Sequence, residues 1–145
     1  MSRTFSLAGL LRLRHAEQEL AGADLARANA RVRDNERTEQ RARRALIEFG
    51  GANLGSAGTE NLRAVAASRL ASAVMLHELA AVQKSSAVEQ AEAEAAFTVA
   101  RVKSVGLEKL ETRHREAVAK DELRAEQVAL DEFAGMRSRK EEGRP

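Results

Sequence analysis

The sequence has no cysteine, tryptophan or tyrosine, only four phenylalanines, and a single proline among its 145 residues. The lack of cysteine excludes a disulfide framework and fits a reducing compartment. A compact core normally draws on aromatic and β-branched side chains, so their scarcity predicts that burial is confined to a long, thin seam. The one proline is Pro145, so no proline obliges a helix to break before the last position.

The abundant residues are alanine, glutamate, arginine and leucine, and charged residues make up 32% of the chain. This composition is typical of coiled coils and long helices. The formal net charge of +2 is small beside 24 basic and 22 acidic residues, so we expect no strong attraction to nucleic acid. We find no secretory signal and no apolar run approaching the ~20 residues of a membrane span, and therefore expect a cytosolic protein.

Glycine marks the one clear reversal of the chain. Four of the nine glycines lie within residues 50–58, and each costs roughly 1 kcal/mol against alanine inside a helix. Gly50 is placed for a left-handed helix C-cap. Thr59 and Glu60 are placed for an N-cap and an acidic first turn of a new helix.

We therefore predict an all-α fold, a long antiparallel two-helix coiled-coil hairpin that forms a single domain over residues 1–138. The predicted parts are a helix over 5–49, a turn over 50–58, a longer helix over 59–137 and a frayed tail over 139–145. Residues 84–86 are the place where we expect any bend in the second helix, because serine and lysine there replace the apolar pattern.

A heptad pattern runs through the first helix. Alternating steps of four and three give thirteen positions, nine of them apolar. These positions are Leu7, Leu11, Arg14, Gln18, Ala21, Leu25, Ala28, Val32, Asn35, Glu39, Ala42, Leu46 and Phe49. The pattern predicts the face that meets the second helix, with Asn35 serving to fix the register.

The pattern also suggests a register. It places Leu11 opposite Phe133, Leu25 opposite Val118 and Leu46 opposite Phe97, and it sets Arg33 near Glu111 and Arg37 near Glu108. Because the second helix is much longer than the first, residues 60–94 would then overhang, fold back at the turn or form a separate short helix; the sequence leaves this open. A crosslink between residue 25 and the region of residue 95 would contradict the register.

The side chains of Arg33, Arg37, Arg41 and Arg44 line one helical face. We interpret them as a solvated or acid-paired face rather than a phosphate-binding stripe, because no aromatic residues interleave with them and nearby acids dilute the field.

Sites for catalysis or metal binding are not recognisable in the sequence. The glycine-rich segment lacks the Gly-Lys-Ser/Thr ending of a phosphate-binding loop. His15, His77 and His114 have no second histidine within helical reach. A two-helix hairpin also offers no pocket in which to preorganise a reaction. We expect neither an enzyme nor a cofactor, metal or small-molecule ligand.

Three segments resemble the FliJ family, small coiled-coil proteins of the flagellar type III export apparatus. The first is the leucine-rich opening from Phe5 to Arg14. The second is the run Leu46-Ile47-Glu48-Phe49 before the glycine-rich break. The third spans residues 107–134 and ends in Leu130-Asp-Glu-Phe-Ala134, a short way from the C-terminus.

The resemblance implies a stalk that inserts into the ring of a hexameric export ATPase, promotes its assembly, contacts the membrane protein of the export gate and helps recycle export chaperones. It places the chain in the cytoplasm, peripherally associated with the inner membrane. Matched by position, the contacts with the ATPase ring would be Leu7, Leu10, Leu11, Arg14, Leu130, Phe133 and Arg137. The contacts with the export gate would be Leu46, Phe49, Leu70, Val74 and His77.

Two other classes of function are open from the sequence. The chain could be a general coiled-coil scaffold or adaptor, with a homodimer whose seam forms between chains, whereas the export role predicts a monomer. A nucleic-acid-binding rod would show steeply salt-dependent binding through the arginines.

Overall fold

The computed structural model describes residues 4–52 and 58–142, which are almost entirely helical and contain no strand. The first helix, α1, spans Ala8–Ala52, and the second, α2, spans Thr59–Glu142. The two helices pack against each other in opposite directions. The predicted all-α two-helix hairpin is confirmed.

The helix ends near the reversal differ from those predicted. α1 continues through Gly50 to Ala52, and no described glycine has a positive φ angle, so the predicted left-handed cap at Gly50 is wrong. The cost of a glycine is about 1 kcal/mol, which a long, packed helix tolerates. The backbone carbonyl of Gly58 accepts a 3.1 Å hydrogen bond from the N–H of Leu62. Gly58 therefore occupies the N-cap position that we assigned to Thr59. Residues 53–57 of the predicted turn lie outside the described residues.

At the other end, α2 reaches Glu142. Residues 139–142 of the predicted tail are thus helical, and residues 143–145 lie outside the described residues. α2 also passes through residues 84–86 without interruption.

The hairpin divides into two compact units. We call residues 17–100 the turn unit, and residues 1–16 together with 101–145 the terminal unit. Each contains a stretch of α1 packed against a stretch of α2.

Four contacts define the register of the turn unit. Phe97 Cε2 lies 3.4 Å from the position that a Cβ on Gly22 would take, and Arg31 Nη2 lies 3.4 Å from Glu89 Oε2. Gln90 Nε2 donates a 2.6 Å hydrogen bond to Asn29 Oδ1, and Gln83 Nε2 donates one of 3.5 Å to Glu36 Oε1. The residue numbers in each pair sum to 119 or 120. The predicted register, in which they sum to 143 or 144, is wrong.

The short connection explains the observed register. Only residues 53–58 separate α1 from α2, and so short a link brings the start of α2 directly against the end of α1. Residues 68–94 therefore pair with α1, and residues 60–94 belong to one continuous helix that neither folds back nor forms a separate short helix. Phe97 packs against Gly22 rather than Leu46.

The predicted ion pairs are wrong for the same reason. Glu108 bonds to His15, and Arg37 lies 3.4 Å from Asp34 on its own helix. Glu111 forms an ion pair with Arg115 at 2.7 Å, four residues further along the same helix.

The predicted seam on α1 is confirmed at most positions. Eleven of the thirteen heptad residues are buried or half-buried, and only Leu7 and Phe49 are exposed. The deepest apolar side chains are Leu11, 7% exposed, and Ala28, 2% exposed. Burial is thus confined to a narrow strip, as the composition predicts.

The facing side of α2 combines small and polar residues with larger apolar ones such as Leu76, Leu79 and Phe97. Ser86 and Ser104 are buried, and each hydroxyl donates to the carbonyl three residues earlier, Gln83 or Arg101, at 3.0 and 3.1 Å. These local bonds satisfy the hydroxyls, while the short side chains let the helix backbones approach closely. Many larger apolar residues of α2 consequently lie on its exposed side.

Candidate interaction surfaces

Two contacts position the start of α1 within the terminal unit. His15 Nε2 lies 2.7 Å from Glu108 Oε1, and the rings of Phe5 and His114 lie 5.7 Å apart at an angle of 43°. The N-terminal end of α1 is therefore packed against residues 108–114 of α2.

Within the terminal unit, α2 continues well past these contacts. α1 begins at Ala8 and Phe5 lies against His114, so the described part of the chain leaves α2 beyond Val118 without a second helix. Every residue from Ala119 to Ala134 is exposed. We call residues 119–137 the distal segment.

The distal segment carries large apolar side chains in water. Their exposed fractions are 64% for Leu123, 57% for Val128, 67% for Leu130, 74% for Phe133 and 65% for Met136. Isolated exposed apolar residues are ordinary, but five within so short a helical stretch make the distal segment a candidate interaction surface.

The two groups of predicted ring contacts do not come together. Leu130 is sixteen residues beyond His114, which corresponds to about 24 Å along a helix at 1.5 Å per residue. Because Phe5 packs against His114, the early leucines lie far from Phe133. The prediction that residues near both ends of the chain form one ring contact depended on the wrong register.

The early residues of that prediction also differ in accessibility. Leu7 and Leu10 are each 38% exposed, whereas Leu11 is 7% exposed and belongs to the seam. Arg14 is half-buried, while Arg137, at the other end of the terminal unit, is exposed. A partner can therefore reach Leu7, Leu10, Leu130, Phe133 and Arg137, but Leu11 only if the hairpin opens.

Leu123, Val128 and Met136 are not among the contact residues predicted from the sequence. A signal for Leu123 was present, since it lies seven residues before Leu130 and therefore on the same helical face. The prediction missed it because the register placed that part of α2 against α1.

The turn unit contains a shallow groove of about 300 Å³ near the reversal. It is lined by Ala42, Ala45, Leu46, Phe49, Ser68, Ser72, Met75 and Leu76. Phe49 is 46% exposed and Met75 is 50% exposed, so the groove presents apolar surface to solvent.

Only part of the predicted gate contact lies at this groove. Leu46 and Phe49 line it, but Leu70, Val74 and His77 do not. Leu70 is 68% exposed and Val74 52% exposed, and each lies two residues after a groove serine, on the other side of α2. Serines at heptad spacing were the sequence signal for the true facing side.

The arginine stripe is solvated. Arg33, Arg37, Arg41 and Arg44 are all exposed. Arg41 Nε donates a 3.3 Å hydrogen bond to the backbone carbonyl of Arg37, within the same helix. This geometry matches the solvated-face interpretation.

Metal-binding and membrane criteria give two further findings. Among the described residues, no group of three or more His, Cys, Asp or Glu side chains is placed to hold a metal ion. Contrary to our expectation, α2 contains one exposed 18-residue window long and apolar enough to cross a membrane. Length and composition alone support that assignment, and helices of water-soluble proteins can satisfy the same criterion.

The fold and its exposed surfaces define the class of this protein, a two-helix coiled-coil hairpin with apolar surface outside its own seam. No protein-family model, curated protein or solved structure matches the chain.

Proposed function

We propose that the chain is a non-enzymatic component of flagellar type III protein export. In this role it inserts into the ring of the hexameric export ATPase, promotes its assembly and activity, and couples it to the membrane export gate while helping to recycle chaperones. The proposal rests on the resemblance of residues 5–14, 46–49 and 107–134 to the FliJ family. It is supported by the hairpin fold that the resemblance implies.

The observation that carries the proposal is the exposure of the distal segment. Leu130 and Phe133, at the most specific point of resemblance, are 67% and 74% exposed. An amphipathic helix that enters a groove or ring uses apolar side chains on one face as anchors. Leu130 and Phe133 are three residues apart and can anchor together in this way.

The turn unit supplies the proposed contact with the export gate. Its groove brings Leu46 and Phe49 together with Met75, and Phe49 remains nearly half exposed. We therefore centre the gate contact on the groove, with Leu70, Val74 and His77 outside it. The protein would be cytoplasmic and bound to the inner membrane only through the export apparatus.

The ATPase contact is tested with the purified export ATPase. We expect the wild-type chain to raise ATP hydrolysis and the fraction of hexamers, and the double variant Leu130→Asp/Phe133→Asp to do neither. Val128→Asp is the matched control, because Val128 is also exposed but points about 160° away from Leu130 on the helix. Full stimulation by the double variant would refute the assignment of Leu130 and Phe133.

The gate contact is tested by binding to the cytoplasmic domain of the export-gate protein. Phe49→Asp should abolish binding. Ile47→Asp should leave it intact, since Ile47 is 73% exposed but does not line the groove. Equal binding by both variants would place the gate contact elsewhere.

A general coiled-coil scaffold is the second candidate. The outer side of α2 favours it, because Val74, Val88 and Val99 are each more than half exposed there. A scaffold would bind a client through this side, so Val88→Asp would abolish its binding, and the export ATPase would not respond to the chain.

A further inference from the structure

We propose that the distal segment pairs with the distal segment of a second copy of this chain, in an antiparallel arrangement. This goes beyond the proposed function and does not depend on it. It differs from the monomer that the export role predicts, and it uses Leu130, Phe133 and Arg137, so a dimer and a ring complex would exclude each other. The pairing surface is one heptad stripe, made of Leu123, Glu126, Leu130, Phe133 and Arg137. We call it the distal stripe.

The distal stripe has the spacing of a coiled-coil seam. Its members follow one another by three, four, three and four residues, which keeps them on one face of a helix. All five are exposed, and α1 does not reach this part of α2 within the described chain. The stripe is thus a second seam that has no partner among residues 4–52 and 58–142.

The charges within the stripe select a second copy as the partner. Glu126 and Arg137 lie among the apolar members, and neither has an ion-pair partner among the described residues. In an antiparallel pair centred between Asp131 and Glu132, Glu126 of each copy faces Arg137 of the other. In the same pair Leu130 faces Phe133, and both contacts occur twice by symmetry.

The same charges exclude a parallel pair. In a parallel arrangement Glu126 would face Glu126 and Arg137 would face Arg137, which places like charges in the seam. In the antiparallel arrangement each Glu126 faces an Arg137 of the other copy, so both contacts are attractive. The stripe is therefore complementary to itself in one orientation only.

The size of the stripe indicates a reversible dimer. From Leu123 to Arg137 the stripe is about 21 Å long at 1.5 Å per residue. Stable protein interfaces usually bury roughly 1,200–2,000 Å² in total, and so short a helix pair falls towards the low end of this range. We expect dimers to form in the micromolar range, where a partner with a larger surface can displace them.

Charge reversal tests the pairing in the full-length chain by sedimentation equilibrium at low salt. Glu126→Arg alone and Arg137→Glu alone should each raise the dimer dissociation constant at least about tenfold, because like charges then meet across the seam. The double variant Glu126→Arg/Arg137→Glu should return to within about threefold of wild type. An equimolar mixture of the two single variants should do the same.

Circular dichroism is the folding control, since both residues are exposed and neither reversal should change helix content. A wild-type chain that stays monomeric at every concentration would overturn the proposal. A dimer whose dissociation constant is unchanged by the single charge reversals would also overturn it. Self-association would then involve another surface, such as the outer side of α2. Loss of ATPase stimulation in a separate assay bears on the proposed function and not on this pairing.

Spin labels test the orientation, which a cysteine-free chain makes simple. In the antiparallel pair, labels on Lys120→Cys lie about 35 Å apart along the axis, whereas labels on Asp131→Cys lie almost opposite each other. A parallel pair would give a short distance for both. A short distance at residue 120 would therefore refute the antiparallel arrangement.

Discussion

Phe97 packs its ring edge against Gly22, with the ring carbons Cε2 and Cδ2 lying 3.4 and 3.7 Å from the position that a Cβ on Gly22 would take. Because glycine has no Cβ, the ring of Phe97 on α2 can lie close to the backbone of α1 here. This contact identifies the helical faces that meet and agrees with the register of the other three contacts between the helices.

Substitution of Gly22 should therefore depend on side-chain size. Gly22→Ala should raise the free energy of unfolding by about 0.5–1 kcal/mol, since its Cβ would make ordinary contact and helix propensity improves. Gly22→Val should lower it by about 1–3 kcal/mol because the added methyl groups meet the ring. Urea denaturation measures both.

Gly106 is the control for this series, because a Cβ there meets nothing within 4 Å. Gly106→Ala and Gly106→Val should both be neutral or stabilising. If Gly22→Val behaved like Gly106→Val, the contact with Phe97 would be wrong.

Thiol crosslinking tests the register of the turn unit directly. In an Arg31→Cys/Glu89→Cys variant, a bismaleimide with a reach of about 8 Å should join the two thiols within one chain, since the side chains that they replace lie 3.4 Å apart. Arg31→Cys/Glu78→Cys is the control, because residue 78 lies about 16 Å further along α2. Intramolecular crosslinking would be followed by electrophoresis. Crosslinking of the control pair, with none between residues 31 and 89, would contradict the structure.

The seam of α1 should be far more sensitive to truncation than its outer face. Leu11→Ala should lower the free energy of unfolding by about 2–4 kcal/mol, because Leu11 is only 7% exposed and its loss leaves a cavity. Leu13→Ala should change it by less than about 0.5 kcal/mol, because Leu13 is 53% exposed. Equal losses for the two leucines, measured by urea denaturation, would show that the seam has been assigned to the wrong face.

Two phenylalanines should behave in opposite ways. Phe97→Ala should lower stability by about 2–4 kcal/mol, since its half-buried ring packs between the helices. Phe133→Ala should change it by less than about 0.5 kcal/mol, since Phe133 is 74% exposed. Thermal unfolding at protein concentrations well below the micromolar range, where self-association is suppressed, provides the comparison. A large loss at Phe133 would mean that a second helix covers the distal segment.

The candidate sites were only partly predictable from sequence. Leu130, Phe133 and Phe49 are exposed, which is compatible with the partner contacts inferred from the resemblance to the FliJ family. Leu11 is buried between the two helices and is not accessible to a partner.

Leu70 and Val74 do not line the groove because they lie on the other side of α2 from Ser68 and Ser72, which do. A hydrophobicity pattern predicts that a valine such as Val74 faces the other helix. In the structure the helices pack closely, so the smaller Ser72 faces α1 and Val74 faces solvent.

The sequence by itself determined that two long helices form and which face of α1 is buried. These features follow from the composition and from local patterns, so they can be predicted without knowing the partner helix. The patterns are the scarcity of aromatic residues, the heptad repeat from Leu11 to Leu46 and the glycine-rich break. The register, the small-residue face of α2 and the uncovered distal segment were decided only by tertiary structure. Because heptads repeat, many registers of the two helices would bring apolar residues together. The connection between Ala52 and Thr59 is short, so only a register that keeps these two helix ends close is possible.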